Sequence, residues 1–188
     1  MAKVKYYDIV TPMVTASFIK INGVVDTYMG SRKYTATAKM KEEDAKALQE
    51  KLLEIWKQSP EYVERDNDGK EVDRPNLGIS FSKTYGYQIK ASTLTQFKDK
   101  DGNYRENIVK LVDGEQKPID PKTKIWDGSK ISLWVAAKTY TGPTGYGVSL
   151  KLRGIQVLEL VSGGGSVFGG SAAGDVITVE QNTEDIPF

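Results

Sequence analysis

The chain has 188 residues, 39% of them hydrophobic and 27% charged, with a formal net charge of +1 at pH 7 and neither cysteine nor histidine. That length suits one domain with a tail, and a body of about 160 residues buries roughly 70% of its unfolded surface without a covalent or metal staple. Without Cys or His the sequence excludes disulfide frameworks, Cys/His zinc sites, cysteine nucleophiles and histidine triads, so no cofactor is expected and a reducing cytoplasm fits.

No long apolar run and no charged-then-apolar leader is present, so neither a membrane span nor a signal peptide is expected. The charge is unevenly placed. Residues 161–188 hold four acidic side chains and no Lys or Arg, which leaves 26 basic and 21 acidic side chains in residues 1–160. A basic body suits a polyanion, and an acidic tail suits a basic partner.

In chain order, Val14–Val25 (VTASFIKINGVV) reads as a strand with a break at Asn22-Gly23. Lys33–Lys41 alternates: Tyr34, Ala36, Ala38 and Met40 point inward, while Lys33, Thr35, Thr37 and Lys39 form an open basic face. Glu42–Lys57 is a helix, because Ala45, Leu48, Leu52, Ile55 and Trp56 recur at three- and four-residue steps. Glu42, Glu43 and Asp44 favour its positive end, and Ser59-Pro60 closes it. Trp56 on that stripe is expected in the core. Pro60–Pro75 is charged and turn-rich, a surface loop.

From Tyr85 the pattern is β: Tyr85–Phe97, Glu106–Val112, Lys130–Thr141 and Tyr146–Leu160. Turns are expected at Lys100–Asn103 and Gly142–Gly145, and a bulge at Gly154, where the apolar parity shifts from Val148, Leu150 and Leu152 to Ile155 and Val157. Tyr85 and Tyr87 share the parity of Ile89 and are assigned to the core. A mainly β, five-stranded OB-fold barrel with one inserted helix accounts for these elements. The expected domains are a body over 1–160 and a flexible tail over 161–188. Six glycines in Gly163–Gly174 cannot support packed structure.

Candidate contacts gather on the strand Lys130–Tyr140. Ile131, Leu133, Val135 and Ala137 make an inward face, and Lys130, Trp134, Lys138 and Tyr140 lie opposite it with Ser132 and Ala136. Aromatic rings offer stacking platforms worth about 1–3 kcal/mol per base, and lysines neutralise phosphates, so such a face suits single-stranded nucleic acid of any sequence. Packing of Trp134 beneath a loop or the helix is an equal alternative on this strand alone. Neighbouring segments add Lys33, Lys39, Lys90, Lys98, Tyr146, Lys151 and Arg153 to the candidate surface.

The tail ends Glu184-Asp185-Ile186-Pro187-Phe188. A partner pocket for Phe188, with a Lys/Arg rim for the carboxylates, fits those residue types, and Pro187 lowers the ordering cost. Enzymatic readings lack support. Gly163–Gly170 has no Walker ending, and Asp66, Asp68 and Glu71, or Asp99 and Asp101, have the spacing of turn residues rather than of a cation loop.

The order YTATAKM, EEDAKALQEKLLEIW, YGYQIKASTLTQFKDKDG, IVKLVDGEQKPI, WDGSKISLWVAAKTY and YGVSLKLRGIQVLEL, followed by a Gly-rich acidic tail, resembles the replication single-stranded-DNA-binding proteins of short-tailed phages. The resemblance covers about residues 30 to 188, with its signature from Gly128 to Leu160. It implies an OB-fold that coats single strands cooperatively in phage DNA replication, recombination and repair, and that anneals strands. It also implies a homodimer and tail contacts with polymerase and helicase–primase. The ending departs from that family, whose tails are long and finish in Asp-Phe. Asp-Ile-Pro-Phe is similar to the tip of bacterial single-stranded-DNA-binding proteins, which leaves phage or host replication and repair factors as partners. The alternatives from other classes are an adaptor or structural phage protein whose barrel binds protein, and an OB protein for RNA.

Overall fold

The computed structural model describes residues 5–28, 31–60, 62, 75–143, 145–161 and 177–178. Alternating apolar and polar residues produce a strand-rich body. Its elements are β1 (Tyr7–Val10), β2 (Val14–Lys20), β3 (Asp26–Tyr28), β4 (Ser31–Met40), α1 (Glu42–Lys57), β5 (Ile79–Ser82) and β6 (Gly86–Leu94). They are followed by β7 (Gln96–Lys98), β8 (Tyr104–Glu106), β9 (Lys110–Val112), β10 (Lys130–Gly142), β11 (Gly145–Leu160) and β12 (Ile177–Thr178).

Five of these strands close on themselves. β2 pairs with β4, β4 with β6, β6 with β11, β11 with β10, and β10 returns to β2. All contacts are antiparallel except β6–β11, which is parallel. This is the partly open five-stranded barrel of the OB-fold. Its interior takes Val14, Ala16, Tyr34, Ala36, Ala38, Ile89, Ala91, Ile131, Leu133, Val135, Val148, Leu150 and Leu152. Alanines on β4 opposite larger residues on β10 and β11 let a narrow barrel fill without voids.

The helix forms over the expected residues. Its stripe of Ala45, Leu48, Leu52, Ile55 and Trp56 is buried, its first turn is acidic, and Lys57 ends it. Trp56 is fully buried and stacks on Tyr146 of β11, with centroids 5.4 Å apart and planes at 24°. The hairpin between β10 and β11 closes at Gly142↔Gly145. The expected bulge sits where Trp134↔Gly154 is followed by Val135↔Leu152, so Arg153 is the extra residue and the buried parity shifts after it.

Several details differ from the expectations. The span Tyr85–Phe97 is not one strand: Tyr85 lies in an exposed turn at 50% exposure, and β6 ends at Leu94. Tyr85 is therefore not a core residue, because its parity matters only inside a strand. Glu106–Val112 is divided between β8 and β9, with Asn107 bonding back to Thr95. Thr35, placed on the open face of β4, is buried. The strands β1, β3, β5 and β12 had no expectation, and β12 falls within the segment expected to be tail. The break at Asn22-Gly23 is a turn with positive φ at both residues, 45° and 126°. Asn22 holds it through hydrogen bonds from its Nδ2 to the carbonyls of Val109 and Pro121, and from the Val109 amide to its Oδ1.

Among the described residues no helix is long and apolar enough to cross a membrane, and no group of acidic side chains could hold a metal ion. β12 pairs with the end of β11 through Glu159↔Thr178 and Leu160↔Ile177. The rest of the expected tail, including Glu184–Phe188, lies outside the described residues, as does most of the Pro60–Pro75 loop.

Candidate nucleic-acid interface

The parallel contact between β6 and β11 consists of one register pair, Ser92↔Lys151. The two strands diverge on either side of it, and the divergence opens a groove of about 870 Å³. One end is filled by the segment before β5. The Asn76 amide donates to the Tyr146 carbonyl at 3.0 Å, the Val148 amide donates to the Asn76 carbonyl at 2.7 Å, and the Lys90 amide donates to the Gly78 carbonyl at 2.9 Å. Gly147 makes this approach feasible: at φ +148°, a Cβ there would lie 2.0 Å from the Asn76 carbonyl oxygen.

At the other end stands the β7–β8 hairpin, a two-stranded sheet of its own. Its root is tied by Asn107, whose Nδ2 donates to Thr93 Oγ1 and to the Leu94 carbonyl, both at 2.9 Å. Its tip is organised by Asp99, which accepts the amides of Asp101 and Asn103 and, at 2.7 Å, the Nε–H of Arg105. These bonds hold the Asp99 carboxyl below its ordinary range, the Arg105 contact contributing most. Tyr34 donates its hydroxyl to Glu106 at 3.3 Å; burial, then the nearby Glu106 charge, raises its pKa.

Lys33, Lys90 and Lys151 line the groove together with Tyr140, Leu94 and Phe97. Polar groups come from Asn76, Ser80, Ser92, Asn107 and Ser149, and none of the described lining residues is acidic. No carboxylate pairs with any of the three lysines among the described residues. Cross-strand rows explain why these side chains meet. Phe18, Thr37 and Lys90 are opposite one another, as are Lys20, Thr35, Ser92 and Lys151. A cationic, partly aromatic concavity with no acid among its described residues attracts phosphates and offers rings to bases.

The expected residues therefore fall into separate places. Lys33, Lys90, Tyr140 and Lys151 come together in the groove. Lys138 lies on the outer face of the β10–β11 ribbon beside them, opposite Ser149. Lys39 sits over the Tyr85 ring at 5.4 Å, and Lys98 over the Tyr104 ring at 5.0 Å on the hairpin. Lys130 is at the far end of β10, donating to Thr15 Oγ1 at 2.9 Å. Trp134 is half-buried; its indole N–H donates to Asp8 at 3.2 Å, and Lys110 lies 5.7 Å from its ring. Arg153 lies 5.8 Å from the Tyr6 ring. The Tyr146 ring is spent on Trp56.

The sequence pattern does not single out Phe18, Leu94, Phe97, Lys110 or Tyr6. Phe97 is 47% exposed and Phe18 56% exposed. An apolar ring at the outward parity of a strand, as at Phe18 opposite Thr37, is the signal that could have found the two phenylalanines.

Comparison with solved structures shows the same fold in phage proteins. The chain is similar to gp2.5, a single-stranded DNA binding protein encoded by bacteriophage T7, with a TM-score of 0.69 and 16% identity, over 90% of this chain and 100% of that one. It is also similar to the single-stranded DNA-binding protein from bacteriophage Enc34 in complex with ssDNA, with a TM-score of 0.53 and 12% identity, over 80% of this chain and 85% of that one. No protein-family model and no curated protein sequence matches the chain.

Proposed function

We propose that this chain, with the fold of phage single-stranded DNA-binding proteins, is itself a sequence-tolerant binder of single-stranded DNA without enzymatic activity. One observation carries the reading: the groove between β6 and β11, lined by Lys33, Lys90 and Lys151 with Tyr140 and Phe97 and by no acid among the described residues. Nucleotides bind OB-folds on the outer face of the strands corresponding to β4 and β6 and along the adjoining loops, which is where this groove lies. Lysines supply the salt-dependent term, and rings stack on any base. Lys39, Lys98, Lys130, Trp134, Lys138, Tyr146 and Arg153 lie outside the groove lining, although Lys98 follows Phe97 and Lys138 is opposite Ser149, both of which line it.

The proposed role is to coat exposed strands during phage DNA replication and recombination in the host cytoplasm. Residues 161–188 form a tail that meets the end of β11 at Ile177–Thr178 and whose tip, Glu184–Phe188, engages a replication or repair protein of the phage or its host. Support comes from the composition of that segment: four acids, no bases, and apolar Ile186 and Phe188 at the end. Titration of a fluorescently labelled dT15 oligomer, read by anisotropy, tests the body. Saturable binding that weakens with added salt is expected, and no binding at low salt refutes it. An unlabelled RNA of matched length that competes better than DNA favours the RNA alternative. Deleting Asp185–Phe188 leaves DNA affinity equal or higher and abolishes capture of replication proteins; retained capture refutes the role of the tip.

A further inference from the structure

The outer face of β1, β10 and β11 carries a second cationic tract that begins at the groove. Pairing sets its rows. Asp8, Ala136 and Lys151 are opposite one another, and the next outward row joins Val10, Trp134, Gly154 and Lys110. Lys151 belongs both to this face and to the groove lining. Two residues further along β11, the bulge places Arg153 outward, and its guanidinium lies over the Tyr6 ring at 5.8 Å. Beside it, Lys110 lies over Trp134 at 5.7 Å.

The rings here act as supports. Tyr6 and Trp134 hold two cations in place, and Asp8 fixes the indole through its N–H at 3.2 Å. Arg153 forms no ion pair among the described residues, and its Nε is buried without a hydrogen-bond partner. A guanidinium left short of acceptors is a costly arrangement in a protein interior. Its outward terminal N–H groups remain able to donate charge-assisted bonds to an anion on this face. Lys151 and Arg153 are two residues apart on β11, at most roughly 6.6 Å along the strand, so the tract continues from the groove through the bulge.

We propose that a single strand held in the groove continues over Lys151 onto Arg153 and Lys110, so that the β1–β10–β11 face binds its phosphates as a second station. This rests on the groove reading above, and it fixes a direction for the strand and a footprint longer than the groove. An oligomer confined to the groove does not touch Arg153 or Lys110, whereas a longer one does.

The experiment measures anisotropy of labelled dT5 and dT15 with the full chain, as wild type, Lys110→Gln, Arg153→Gln, the double variant and Arg153→Lys, across a salt series. For dT15 the double variant is expected to lose about 1.4 units of salt slope, at about 0.7 per phosphate contact, and on the order of 20-fold affinity at about 0.1 M salt. For dT5 it stays within twofold of wild type. Arg153→Lys retains most of the dT15 slope, which separates charge from a packing defect. Lys110 is exposed, so Lys110→Gln folds normally and alone removes about 0.7 units. Unchanged dT15 binding in the double variant, or equal loss for dT5 and dT15, overturns the second station while leaving the groove standing. Failure of wild type to bind either oligomer overturns both.

Discussion

Neutralising the groove provides the sharpest test of the interface. Lys33, Lys90 and Lys151 converge without a carboxylate partner among the described residues, so each is free to displace a counterion from a bound strand. Each single-strand phosphate contact contributes about 0.7 to the slope of log affinity against log salt. At about 0.1 M salt one contact is therefore worth roughly fivefold. The triple variant Lys33→Gln, Lys90→Gln, Lys151→Gln loses about 2 units of slope and on the order of 100-fold affinity for dT15, close to 2.8 kcal/mol. The assay is oligomer anisotropy at several salt concentrations, with circular dichroism and melting as fold controls. All three side chains are on the surface of the barrel, and their loss leaves its packing intact. A folded triple variant with the wild-type slope would refute the assignment of the strand to this groove.

Gly147→Ala forces a Cβ to within 2.0 Å of the Asn76 carbonyl oxygen, so the segment before β5 must lift away. A loss of at least about 2 kcal/mol in urea unfolding is expected, together with weaker DNA binding. Trp56→Ala empties the centre of the helix–barrel contact and costs about 3–5 kcal/mol. Trp56→Phe costs much less, because it keeps a ring against Tyr146 and removes an indole N–H that has no partner. Since the Asp99 carboxyl is lowered by Arg105 and by backbone amides, its support of the hairpin is fully present above the ordinary value of 3.8. That support is lost only as pH falls through the lower folded value, so amide protection at Asp101 and Asn103 persists below the ordinary carboxylate value and collapses only at more acidic pH. In Asp99→Asn that protection is already reduced at neutral pH.

Elements whose residues alternate cleanly, or repeat at helical steps, are legible in the sequence itself. β4, α1, β10 and β11 form where the pattern puts them, and the bulge at Arg153-Gly154 is readable as a parity shift. Those regularities are local: a half-buried strand or helix must write its buried face into its own sequence. Separation of an acid-rich segment from a basic body is equally a matter of counting.

The groove is not legible in the same way. The Lys130–Tyr140 face reads as one surface, yet Lys130 is fixed to Thr15, Trp134 is held by Asp8 and Lys110, and only Tyr140 lines the groove. Which outward residues share a concavity depends on how β6 and β11 diverge, and that divergence follows from a single long-range register pair. Phe97 reaches the groove because Asn107 anchors the hairpin root to Thr93 and Leu94. Sequence alone determined most of which faces are buried and which are charged, because burial is repaid residue by residue, with Thr35 and Tyr85 as the exceptions. Only the tertiary structure decided which charged residues face the same strand of DNA, because that depends on pairings between residues far apart in the chain, such as Ser92 with Lys151 and Thr37 with Lys90.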